Sequence, residues 1–279
     1  MVIRLLATTL TVICLLSLTG CRVDSGGSGS GVVSSAGFCK KADNLNWVSG
    51  KNLCFAIKTF THDEEAARPV LRVFLHGDNS KGGPSDYMYR YASLYAPGVV
   101  SVAMLRPDHY DREGRRSSPK TYGRRNWETE ESIDAIAAAV RKLKSHHKAS
   151  RVVMIGHSGG SNISAVMLGR HPGVADAALL AGCACDKEAK RMMQGRNVIP
   201  EDINPIDYVD YIPLTAKVIA ITGSRDITNP ADLCRPYIAH LKARGVSARL
   251  DIVEGARHAF SRLGGSIAYQ LGLLELSKQ

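Results

Sequence analysis

Short apolar runs punctuate this chain at intervals, separated by longer stretches in which apolar and polar residues recur at helical spacing. Leu53–Ile57, residues 68–75, Gly98–Leu105, Arg151–Ile155, Val174–Leu180 and Ala216–Ile221 are each rich in apolar residues with little polar alternation, and Ala248–Val253 is a further strand-like run. Such runs suit strands buried on both faces. Between them, Glu128–His147 places Ile133, Ile136, Ala137, Val140 and Leu143 on one side of a helix. Tyr87–Leu94, Ser161–Leu168, Asn229–Arg244 and Gly265–Leu276 read as further helices. Strand alternating with helix predicts an α/β fold: a mostly parallel central sheet with helices on both faces. No internal repeat is visible.

The chemistry collects where the strands end. Leu71–Leu75 runs into His76-Gly77-Asp78. Arg151–Ile155 runs into Gly156-His157-Ser158-Gly159-Gly160 and then a helix. A serine flanked by glycines between strand and helix is the sequence form of a nucleophile elbow, in which the small residues make room for a tight turn. Ala216–Ile221 leads to Asp226, and Ala248–Val253 to His258. Open α/β sheets place their sites past such strand ends. The candidate catalytic residues are therefore Ser158, Asp226 and His258. A serine hydroxyl needs a base within hydrogen-bond reach, an imidazole supplies one near neutral pH, and a carboxylate fixes its tautomer. Asp251 and Glu254 lie nearer His258 in sequence but within or just after its strand, so they rank behind Asp226. The backbone N–H groups of Asp78 and Gly159 are the candidate oxyanion hole. A negative charge beside a developing oxyanion would be unhelpful, so the Asp78 side chain is expected to point away. His157 is expected to pack beside the elbow and not to act as a base. From Arg106 to Arg125 the chain makes a polar excursion. Arg106 and Tyr110 are candidate substrate contacts there; the alternative is an ordered loop held by Arg–Asp pairs. Trp127 reads as packing.

These four motifs in this order resemble the α/β-hydrolases over roughly residues 65–275. The segment Asn204–Pro213 resembles the dienelactone-hydrolase and prolyl-oligopeptidase-like branch. The resemblance implies an α/β-hydrolase fold in which residues 186–212 form a short lid, and acyl transfer to water without a cofactor or metal. Carboxylic esters are the implied substrates. A serine peptidase or aminopeptidase is the alternative, although acidic residues that would grip an N-terminal amine are not evident. A non-catalytic envelope binding protein on the same fold would be expected to lack one of Ser158, Asp226 or His258, and all three are present.

The N-terminus changes the picture of where such an enzyme would work. Residues 1–20 read as a signal segment: a short basic start, then a mostly apolar run from Leu5 to Leu18 that is short for a membrane span. Leu18-Thr19-Gly20-Cys21 resembles a bacterial lipobox, which makes Cys21 the candidate lipidation site. Residues 21–37 are rich in Gly and Ser and read as a solvated tether, which leaves 38–279 as the catalytic domain. The expectation is an exported lipoprotein held at the cell-envelope membrane through Cys21. Five cysteines then remain. Cys39 and Cys54 are expected to clip an N-terminal hairpin, and either Cys183 or Cys185 to pair with Cys234. Cys183-x-Cys185 alone is poor support for zinc. The formal charge of +10 gathers partly in Arg112, Arg115, Arg116, Lys120, Arg124 and Arg125. It reads as a solvated basic surface or as attraction to anionic lipid or substrate. Nucleic acid is not expected, because no recognition motif accompanies the charge.

Overall fold

The computed structural model describes residues 39–62, 66–79, 82–119, 128–199 and 203–278. The expected signal segment, Cys21, the tether and Trp127 lie outside them. Eight strands form one sheet: β1 (Trp47–Gly50), β2 (Leu53–Thr61), β3 (Val70–Leu75), β4 (Val99–Met104), β5 (Arg151–His157), β6 (Ala177–Ala181), β7 (Lys217–Gly223) and β8 (Ser247–Val253). Their order is β1-β2-β4-β3-β5-β6-β7-β8, with β3 to β8 parallel and the β1–β2 hairpin antiparallel at one edge.

Alternation along each strand feeds two cores. From β3, Leu71, Val73 and Leu75 join one face; Val70 and Phe74 join the other. Helices α2 (Glu130–His146), α3 (Gly159–Arg170) and α5 (Arg235–Ala243) cover the first face; α1 (Tyr89–Ala92), α6 (Phe260–Leu263) and α7 (Ile267–Leu276) cover the second. Helix α2 starts where Thr129 Oγ1 accepts from the Ser132 N–H and Glu130 and Glu131 follow in the first turn, the signals a helix N-terminus favours. Among the described residues no helix is long and apolar enough to cross a membrane.

Register aligns the strand ends. Leu75 pairs with both Met104 and Gly156, His157 with Ala181, Ala181 with Ile221, and Gly223 with Val253. The segments that leave β3, β5, β6, β7 and β8 therefore emerge along one edge.

The expected helix at Tyr87–Leu94 shrinks to a single turn, α1. The expected lid is also smaller than residues 186–212. Among its described residues, α4 (Lys187–Met193) has none buried, and Lys187 reaches Glu128 at 3.3 Å. The 3-10 helix Pro205–Tyr211 packs on α3 instead, so closely that a Cβ at Gly169 would lie 2.2 Å from the Tyr208 carbonyl oxygen. Val209 is fully buried and draws this segment into the first core. Disulfides join Cys39 to Cys54 and Cys185 to Cys234, and Cys183 is a buried thiol.

Candidate active site

The turn after β5 holds Ser158 at φ 52° and ψ −120°, a region that costs a residue with a side chain about 1–3 kcal/mol. Its surroundings enforce it. The Ser158 N–H donates to Ala181 O at 2.9 Å, and its carbonyl accepts from Ser161 and Asn162. A Cβ at Gly156 would lie 2.4 Å from Ser161 Cα, and one at Gly160 2.3 Å from Leu75 O. Both glycines of the motif are thus required by close backbone approach. Gly77 is pressed in the same way, since a Cβ there would lie 2.8 Å from Ser158 Cβ.

The structure brings Ser158, His258 and Asp226 together. His258 Nε2 lies 2.9 Å from Ser158 Oγ, and its Nδ1 lies 2.8 Å from Asp226 Oδ2. The buried carboxylate accepts on its other oxygen from the N–H groups of Thr228 and Asn229, each at 2.9 Å. A carboxylate oxygen accepts the Nδ1–H of His258, and in the neutral imidazole this leaves Nε2 as the acceptor that faces the serine. Gly182, at φ 58°, backs the imidazole: a Cβ there would lie 3.0 Å from His258 Cε1. The two other acids near His258 are engaged elsewhere, Asp251 with Arg249 and Glu254 with Ser224. His157 makes its ring hydrogen bonds to Tyr87 and to the His258 carbonyl, away from Ser158.

A dienelactone hydrolase family model matches residues 99–272, more than half of the chain. The chain belongs to that family. It is a hydrolase of the α/β fold, and solved structures agree on the fold. Est1E from Butyrivibrio proteoclasticus, solved with ferulic acid bound, is similar at TM-score 0.64 and 16% identity over 83% of this chain and 99% of that one. A thermophilic esterase from Thermogutta terrifontis gives 0.56 and 19% over 84% and 91%. The Pyrococcus horikoshii acylaminoacyl peptidase gives 0.58 and 15% over 85% of this chain but 41% of its own length. No curated protein matches the chain.

In this hydrolase the backbone N–H groups of both oxyanion candidates, Asp78 and Gly159, donate to no described residue. That of Gly159 opens α3, where an N–H has no partner within the helix. The Asp78 carboxylate does not point away as expected. It lies over Gly159, where a Cβ would be 2.5 Å from Asp78 Oδ1, and it accepts from Arg106 Nη1 at 2.7 Å. Burial pushes this carboxyl upward, but the charge and hydrogen bond of Arg106 outweigh it and hold the group below its usual range.

Arg106 itself corrects a second expectation. Its guanidinium is completely buried and offers nothing to a substrate. Two carboxylates draw it inward: Asp78, and Glu128 at 3.9 Å. Glu128 also takes Lys187 at 3.3 Å and Asn162 at 3.2 Å. Lys190 of α4 completes the cluster, half-buried within the field of Glu128, Asp78 and Asp226; burial lowers its amine. Sequence reasoning missed Glu128, Lys187 and Lys190. Tyr110 lies under Arg116, whose guanidinium is 4.4 Å above its ring. The loop around it is held by Arg115–Asp111 at 2.8 Å and Arg116–Asp108 at 3.1 Å, which is the alternative of Arg–Asp pairs. A cavity of about 610 Å³ opens beside the turn, lined by Asp78, Tyr87, Tyr91, His157 and Phe260 among others.

Proposed function

We propose that this chain is a serine hydrolase that cleaves carboxylic esters through an acyl-enzyme on Ser158. The observation that carries this reading is the continuous Ser158–His258–Asp226 hydrogen-bond chain on a strained strand–helix turn. Ser158 Oγ attacks the ester carbonyl carbon and its proton passes to His258 Nε2. The carbonyl oxygen becomes the oxyanion and takes hydrogen bonds from the Asp78 and Gly159 N–H groups. The C–O bond to the alcohol breaks as His258 returns the proton to the leaving oxygen. Water then repeats the sequence on the acyl-enzyme and frees the acid. Asp226 holds the imidazole in the required tautomer and stabilises its charged form. Each oxyanion donor contributes about 2.7–4 kcal/mol of transition-state stabilisation. The family assignment supports a hydrolase, and the wide aromatic cavity beside the turn suits an ester with a bulky substituent.

Labelling with a fluorophosphonate and turnover of esters of graded size test the reading. Full-stoichiometry labelling at Ser158, lost together with hydrolysis in Ser158→Ala, is the expected result. A folded protein that takes no label would overturn it. An aminoacyl amide panel run beside the esters separates esterase from peptidase. The place of action we propose is the envelope membrane, with Cys21 carrying the lipid; Cys21→Ala should release the protein from the membrane fraction.

A further inference from the structure

Behind the candidate triad, three hydrogen bonds tie two loops together. Gly77, the residue before the oxyanion candidate Asp78, gives its N–H to Tyr87 Oη at 2.6 Å. That hydroxyl lies 2.6 Å from His157 Nδ1. His157 Nε2 lies 2.9 Å from the carbonyl oxygen of His258. The protons can be placed by elimination. A carbonyl only accepts, so His157 Nε2 carries hydrogen. Burial lowers the His157 imidazole to about 4, which leaves Nδ1 bare at neutral pH. Burial also raises the Tyr87 phenol, which keeps its proton and donates it to Nδ1. The chain therefore runs one way, from Gly77 N–H through phenol and imidazole to the main chain of the base.

Packing reinforces this line. The Tyr87 ring meets His157 edge-on at 5.7 Å, and Phe260 lies 5.1 Å from the same imidazole. The His258 loop needs such an anchor, because Arg257 and Ala259 on either side are exposed. The requirement at position 157 is specific: a flat, neutral group that accepts on one edge and donates on the opposite edge. Imidazole meets it and so does the amide of glutamine; phenylalanine fills the space but makes neither bond.

We propose that Tyr87 and His157 are positioning residues, which hold the oxyanion turn and the loop of the base in mutual register. With them in place, His258 Nε2 and the Asp78 N–H address the same substrate carbonyl. The proposal rests on the roles given above to Ser158, His258 and Asp78.

Steady-state kinetics of Tyr87→Phe, His157→Phe and His157→Gln on one ester, with thermal melts of each, provide the test. Tyr87→Phe and His157→Phe should each lose about tenfold or more in kcat with KM little changed, because each removes two buried hydrogen bonds of the chain. His157→Gln should return to within about threefold of the parent. Because the groups act as one chain, the double variant Tyr87→Phe with His157→Phe should lose little beyond either single one. An unchanged kcat in the Phe variants, a loss confined to KM, or a His157→Gln as slow as His157→Phe would each overturn the proposal. Should Tyr87→Phe fail to fold, the His157 pair carries the same comparison. Ser158→Ala run alongside separates the two levels. Hydrolysis that survives in it overturns the reading of the site and the proposal with it. Hydrolysis lost in it while the Phe variants match the parent overturns the proposal alone.

Discussion

A buried guanidinium beside two carboxylates behaves unlike a surface ion pair. Arg106 has no exposed side-chain surface, and its Nε and Nη2 make no hydrogen bond to a described residue. Removing it leaves Glu128 without one of its cationic neighbours and Asp78 without its hydrogen-bonded cation over Gly159. Arg106→Met should therefore destabilise the fold by about 3–5 kcal/mol, read from urea unfolding. Asp78→Asn should cost far less, because that side chain is about half exposed. Combined, they should cost less than Arg106→Met alone. The same residue shows where sequence reading stops. Ser158, Asp226 and His258 each sit in a short local motif marked by glycine, so a single stretch of text reveals them. Arg106 depends on partners from two other loops, and no local pattern distinguishes a strand-end arginine that turns inward from one that reaches for a substrate. His157 was placed correctly beside the elbow, but its two hydrogen-bond partners come from residues 70 and 101 positions away.

At the scale of elements, the strands were legible and several connections were not. Long apolar runs have few alternatives to a strand, and each expected run became one; the edge strand β8 differs from the expectation in having no buried residue, because a sheet edge is covered less than its middle. The expected helix over Asn229–Arg244 divides into a 3-10 turn at Ala231–Leu233 and α5 from Arg235. Pro236 in the first turn suits a fresh start there. The partner of Cys234 was undecidable for a geometric reason. Residues two apart in extended chain face the same way, and the sulfurs of Cys183, Cys185 and Cys234 all lie within 4.8 Å of one another. The bridge taken, Cys185–Cys234, ties the segment after β6 to the start of α5 across 49 residues. Chain-entropy reasoning gives it about 4 kcal/mol. Replacing both cysteines by serine should lower the unfolding free energy by about that amount in a denaturant titration. Cys183, buried and with its thiol pushed up to about 12, should resist a maleimide until the protein unfolds.

For the molecule as a whole, acid should be the weak side. His157 is buried and lowered to about 4, and His76 is lowered well below its ordinary value by burial and by the neighbouring His109 and Arg106. Both stay neutral in the fold, while the unfolded chain takes up protons below about pH 6.5. Stability is thus complete above that pH and lost as pH falls toward 4. The contribution of His157 is on the order of 3 kcal/mol. Melting temperatures measured from pH 7.5 down to 4.5 should fall, and the decline should flatten in His157→Gln. The β1–β2 edge of the sheet is tied in by a covalent bond. Cys39 opens the described chain and is bonded covalently to Cys54 at the start of β2, whose backbone exchanges hydrogen bonds with Ser118. A pull arriving through residue 38 crosses the sulfur bridge directly into β2 and from there into β4. Because the bridge bypasses residues 40–53, a load applied at Cys39 should spread across the sheet edge and should not peel away its outermost hairpin strand.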